Sequence, residues 1–114
     1  MDASTRKIES FRLSALPEAA PFASAVRAGG LEDEARQALD YMRQALELAD
    51  SSLDDVVKCT VFFADMNDFQ AFNAIYRTYF PKRRPARSGV EVRALALGAR
   101  IEIECVALAG QAES

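Results

Sequence analysis

Apolar residues recur along this chain with two different periods. Leu31, Ala35, Ala38/Leu39, Met42, Ala45/Leu46 and Ala49 follow the spacing of one helix face, which predicts an amphipathic helix over Leu31–Asp50. Glu32, Asp33 and Glu34 fall in its first turn, where the helix dipole favours negative charge. Ser51-Ser52 ends the helix, and Leu53–Val56 turns the chain into a strand. Val57–Ala64 is β-branched and aromatic, with Val57, Cys59, Val61 and Phe63 on one face and Lys58, Thr60 and Phe62 on the other. Apolar groups on both faces predict a central strand. Asn67 or Asp68 is placed to cap a second helix carrying Phe69, Phe72, Tyr76 and Phe80 on one stripe, and Pro81 stops it.

The flanking segments alternate. Ile8, Phe11 and Leu13 stand among charged neighbours in Lys7–Leu13, a short strand. Pro17 and Pro21 bracket an irregular connection, and Phe22–Ala28 reads as a second strand ended by Gly29-Gly30. After the basic loop Lys82–Pro85, the strand Ala86–Ala94 sets Val90 and Val92 against Arg87, Gly89, Glu91 and Arg93. Leu97-Gly98-Ala99 makes a turn into the strand Arg100–Leu108, where Ile101, Ile103 and Cys105 oppose Glu102 and Glu104. The predicted order is β-β-α-β-α-β-β, an α/β (α+β) domain over residues 1–114 with flexible ends at 1–6 and 110–114. Two helices should cover one face of a mixed sheet. Arg87, Glu91, Arg93, Glu102 and Glu104 are expected together on the other face, beside Phe62, Val106 and Leu108. That much apolar area predicts self-association.

Composition narrows the chemistry. The chain has 114 residues, too few for two independent cores. It contains no histidine, which excludes histidine relays and histidine-ligated zinc. Cys59 and Cys105 form no CxxC pair, so no cysteine zinc site is expected and both read as small buried hydrophobes in a cytoplasmic protein. A formal net charge of −3 argues against a dedicated nucleic-acid binder. Met1–Ser10 is polar and lacks an apolar signal core, and no apolar run approaches the roughly 18 residues of a membrane span.

The run Pro85-Ala86-Arg87-Ser88-Gly89-Val90-Glu91-Val92, continuing through Leu95 and Gly98-Ala99-Arg100-Ile101-Glu102-Ile103-Glu104, resembles the C-terminal signature of the RidA/YjgF family of imine deaminases. Ser52-Leu53-Asp54-Asp55-Val56-Val57-Lys58, Asp65-Met66-Asn67-Asp68-Phe69 and Phe72-Asn73-Ala74-Ile75-Tyr76 resemble the same family. The resemblance runs from about Pro21 to Leu108. It implies a chorismate-mutase-like fold, a homotrimer, no cofactor, and hydrolysis of 2-imino or enamine acids such as 2-iminobutanoate and 2-iminopropanoate. Arg87 takes the position of the family's carboxylate-binding arginine, Glu102 that of its water-positioning glutamate, and Asn73 that of its helix asparagine. Phe22 stands where the family has a tyrosine, and Gly89 where many members have a cysteine. A family strand and loop after Gly30 are missing, and Phe22–Ala28 is expected to take the vacant place in the sheet.

Apart from the motif, Arg87 and Glu102 read as ordinary strand residues, and Asn73 as a helix-surface amide. Three functions follow. The first is imine hydrolysis with Arg87 and Glu102 as catalytic residues and Phe22, Asn73 and Gly89 in the pocket. The second is binding of 2-oxo acids without turnover. The third is a ribonuclease or translation inhibitor working through Lys82–Arg84.

Overall fold

The computed structural model describes residues 8–13 and 30–109. Strand β1 (Ile8–Leu13) precedes helix α1 (Gly30–Leu48), strand β2 (Val56–Phe63), helix α2 (Phe69–Tyr79), strand β3 (Ala86–Glu91) and strand β4 (Ile101–Leu108). The four strands form one sheet in the order β1-β4-β2-β3. β2 runs parallel to β3 and antiparallel to β4, and β1 pairs antiparallel with β4. The mixed sheet with two helices on one face is the expected architecture.

The expected strand Phe22–Ala28 and the expected flexible ends lie outside the described residues. Beside β4 runs β1, the expected first strand, with Ile8 opposite Leu108 and Leu13 opposite Ile103. Any segment able to complete an antiparallel ladder satisfies β4's free backbone groups, and the N-terminal strand does so here.

α1 buries Leu31, Ala35, Ala38, Leu39, Met42 and Leu46, as its spacing predicts. It ends on a Schellman motif: the Asp50 N–H donates to Glu47, and the Ser51 N–H donates to Leu46. Asp50 accordingly sits at φ 57°, in the left-handed region. The Ser51 hydroxyl donates to the Leu108 carbonyl at 2.7 Å, tying the end of the helix to the end of β4.

β2 departs from the expected alternation at its start. Val56 lies opposite Ala107 and Lys58 opposite Val106, which leaves Val57 as the extra residue of a β-bulge. Val56 is therefore buried and Val57 is 41% exposed. From Cys59 onward the expected face holds, with Cys59, Val61 and Phe63 fully buried against the helices.

At the start of α2, Asp65 does the capping expected of Asn67 or Asp68. Its carboxylate accepts the Asn67 N–H at 2.9 Å, closing a short 3-10 turn that leads into the helix. Phe72, Tyr76 and Phe80 are buried on the α2 stripe. β3 stops at Glu91 rather than Ala94 because its partner β2 ends at Phe63; one further hydrogen bond, from the Val92 N–H to the Phe63 carbonyl, closes the ladder.

Glu34, expected only to favour the helix dipole, is fully buried on the core side of α1. Its Oε1 accepts the Arg100 and Ile101 N–H groups at 2.5 and 3.2 Å, where β4 begins. Its Oε2 has no hydrogen-bond partner among the described residues. Burial raises its carboxyl above the ordinary 4.5, outweighing the two backbone hydrogen bonds.

Two substitutions separate these roles. Glu34→Ala removes the acceptor from two backbone amides and should destabilise the protein by about 1–3 kcal/mol. Glu34→Gln keeps an acceptor but removes the charge. Because the folded-state carboxyl is raised, wild-type Glu34 favours folding most below 4.5 and loses that contribution as pH rises through the folded value. Thermal melts should therefore show Glu34→Gln gaining on wild type between acid and neutral pH. A constant difference across that range would contradict a buried charge at this position.

Candidate active site

The parallel register places Arg87 opposite Cys59, Gly89 opposite Val61 and Glu91 opposite Phe63. Aligned residues of neighbouring strands point to the same face, so the Arg87 and Glu91 side chains, with Gly89 between them, lie on the helix side of the sheet. This corrects the expectation that Arg87 and Glu91 share a face with Glu102 and Glu104. Polarity suggested the open face, but an edge strand can carry an arginine on the helix side when aromatic rings receive it.

Those rings come from α2. The guanidinium carbon of Arg87 lies 4.6 Å from the centre of the Tyr76 ring and 5.2 Å from that of Phe69. Such contacts hold the planar cation by the ring quadrupole. Asn73, one helical turn before Tyr76, accepts a hydrogen bond from Arg87 Nη1 at 2.6 Å. The sequence-predicted pair Arg87 and Asn73 is thus in direct contact. One guanidinium edge is committed to the amide, leaving further donors of the fork for a carboxylate.

Gly89 follows two residues along on the same face. A Cβ there would come 3.3 Å from Phe63 and 3.9 Å from Phe69, so a side chain at this position would press on the aromatic cluster. Glu91 is occupied at the next position, where its Oε1 accepts the Met66 N–H at 2.8 Å.

Glu102 lies elsewhere. Ile101, Ile103, Cys105 and Ala107 are buried under the helices, which turns Glu102 and Glu104 to the opposite face of β4. There Glu102 is aligned with Phe62, and Phe62 in turn with Val90. Within one chain the sheet separates Arg87 from Glu102. Phe22 lies outside the described residues.

A cavity of about 280 Å³ opens over Arg87, lined by Asn73, Tyr76, Arg77, Arg84, Pro85 and Arg87. Arg77 and Arg84 were not among the expected pocket residues. Arg77 was legible, standing four residues after Asn73 on the same helix, whereas Arg84 reads as part of a solvated loop until the fold returns Pro85 to α2. A second cavity of about 500 Å³, lined by Met66, Asn67, Phe69 and Gln70, contains none of the predicted site residues.

The floor of the cavity is chemically quiet. The Tyr76 hydroxyl is buried beside the Cys59 thiol, a weak hydrogen-bond partner, and burial together with that thiol pushes it above its usual range. Burial likewise raises the Cys59 thiol and pushes Cys105 up to about 12. Both cysteines are free and buried, so neither supplies a thiolate at neutral pH.

Comparison with known proteins places these features in context. The family model described as endoribonuclease L-PSP matches residues 15–109. A human protein named 2-iminobutanoate/2-iminopropanoate deaminase is 46% identical over 90 residues, covering 79% of this chain and 66% of its own length. The Drosophila melanogaster RutC family protein UK114 is 45% identical over 86 residues, covering 75% of this chain and 62% of its own. The chain therefore spans about three-fifths to two-thirds of these relatives. Among solved structures, a putative endoribonuclease from Thermotoga maritima superposes with a TM-score of 0.68 at 34% identity, covering 93% of this chain and 77% of that one. RidA from the Antarctic bacterium Psychrobacter also gives 0.68 at 34% identity, covering 70% of this chain and 65% of that one.

The buried Tyr76 hydroxyl makes a direct prediction. Tyr76→Phe keeps the ring beneath Arg87 and removes a buried hydroxyl that faces the weak thiol partner of Cys59. It should leave stability unchanged or raise it by up to about 1 kcal/mol in urea unfolding. A loss above that would reveal a partner for the hydroxyl.

Proposed function

This chain belongs to the endoribonuclease L-PSP family, the RidA/YjgF family of the sequence resemblance, and on that premise we propose that it hydrolyses small 2-imino acids. In the reaction, water adds to the C=N carbon of R–C(=NH2+)–COO−. The C–N bond then breaks, giving R–CO–COO− and NH4+. The observation that carries the reading is the Arg87 fork, held by Asn73 and two aromatic rings at the wall of a small cavity. A planar guanidinium grips a carboxylate with two parallel hydrogen bonds, which fixes the orientation of an already electrophilic imine.

Glu102 is the group for positioning water and passing a proton to the leaving nitrogen. Since it faces away from Arg87 in its own chain, it serves the ligand of a neighbouring copy. The face that carries it also presents Phe62, Val106 and the 42% exposed Val90, apolar area suited to a homotrimer interface. The chemistry needs no cofactor. The two free thiols suit a cytoplasmic protein, and no helix among the described residues is long and apolar enough to cross a membrane.

Separation of Arg87 from Glu102 also favours a second reading, in which the chain binds 2-oxo acids without turning over imines. Ammonia release from imines generated in situ, measured beside calorimetry with 2-oxobutanoate, distinguishes them: binding without turnover selects the second reading.

Arg87→Ala should lower deamination roughly a hundredfold, the loss of a charge-assisted bidentate contact. Wild-type rates in that variant would remove Arg87 from the site. Glu102→Gln should be comparably impaired. Co-expressed Arg87→Ala and Glu102→Gln chains should then recover part of the activity, since mixed assemblies contain sites with both native groups. A mixture as inactive as its components would place both groups of a site in one chain.

A further inference from the structure

The cavity over Arg87 carries more positive charge than one carboxylate requires. Of its six lining residues, three are arginines and none is acidic. This occurs in a chain whose formal net charge is −3. The Arg77 and Arg84 side chains make no hydrogen bond or ion pair among the described residues, where the ion pair present is Arg43–Asp40. Arg87, by contrast, is anchored to Asn73 and the rings.

The ordinary explanations cover only part of this. Arg77 lies in the last turn of α2, where a cation suits the helix dipole whatever else it does. Arg84 has no such reason. It ends the run Lys82-Arg83-Arg84, yet of those three it alone lines the cavity. Pro85 follows it as a lining residue and fixes the backbone there. A basic loop selected for a nucleic-acid backbone has no need to turn one arginine into a cavity beside Arg87. The cavity is also small, at the lower end of the range for organic ligands, which suits a short acid rather than a nucleotide.

We propose that Arg77 and Arg84 make this cavity selective for dicarboxylic 2-imino and 2-oxo acids, with Arg87 taking the 1-carboxylate and the two rim arginines the side-chain carboxylate. The inference rests on the proposed role of Arg87 and names the substrate class of that site. Both rim arginines are exposed, so each contributes modestly and in a salt-dependent way.

Calorimetry on the full chain at low ionic strength tests this with 2-oxoglutarate and 2-oxobutanoate, stable counterparts of the two imine classes. Wild type should bind 2-oxoglutarate at least about fivefold more tightly, the combined effect of two exposed ion pairs, and the preference should shrink as salt is added. The exposed double variant Arg77→Gln/Arg84→Gln should bring the ratio of the two affinities close to one. If 2-oxobutanoate binds and 2-oxoglutarate binds no better, the dicarboxylate inference is wrong while the role of Arg87 stands. A ratio that survives the double substitution is equally fatal to it. If 2-oxobutanoate does not bind wild type at all, the carboxylate site itself fails.

Discussion

The bulge at Val57 sets the phase of the central strand, and the helix face of the sheet depends on that phase. Sheet side chains alternate with a period of two, so a shift of one residue exchanges the faces. Without the extra residue, burying Val56 would bury Lys58 as well. With it, Val56 covers the core at one end, Lys58 stays in solvent, and Cys59, Val61 and Phe63 fill the interior. The phase then passes to both neighbours. Cys59 aligns with Cys105 on β4 and with Arg87 on β3, so the arginine is brought to the helix side by the same register that buries the two thiols.

An arginine beside a hydrophobic core is tolerable because β3 is an edge strand. Its helix face is half-open, and α2 offers it rings rather than aliphatic groups. Phe63, Phe69, Phe72, Tyr76 and Phe80 run as a connected aromatic series, with neighbouring centroids 4.8–5.9 Å apart. The end of the guanidinium reaches the cavity while its face stays against Tyr76. Rigidity follows: an amide hydrogen bond and two ring contacts fix the fork before any ligand arrives, which lowers the entropy of capturing a carboxylate.

Much of this could be read from the sequence where a strong period met a stop signal. The row Leu31 to Leu46, the stripe Phe72 to Phe80 and the alternation of Ile101 to Ala107 need only burial to explain them, and burial is what a period reports. The bulge left no such mark, since Val56 and Val57 are chemically alike and only the register of β4 tells which of them turns inward. Glu34 was hidden for a related reason: a carboxylate on a helix's first turn has a sufficient local explanation, and its two backbone donors come from Arg100 and Ile101, far along the chain. Arg87 and Asn73 were found through a motif. The face of Arg87 was misjudged because polarity alone does not distinguish solvent from a ring-lined edge.

The position of Glu102 follows from how β4 obtains its second partner. β4 needs strands on both sides to satisfy its backbone, and β1 meets that need from Leu108 back to Ile103. The pairing ends there, one residue short of Glu102. Among the described residues, Glu102 therefore has a strand partner on one side, Phe62 of β2, and no aligned residue on the other. A carboxylate on the helix-free face, at the end of a ladder and beside apolar residues, is poorly placed to serve its own chain's Arg87 but well placed to meet a group brought by another copy. The β1–β4 pairing lies across the sheet from β3, away from the helix-side contacts that hold Arg87. On the proposed reading, the carboxylate-binding half of the site then rests on the chain's own packing, and the hydrolytic half rests on assembly.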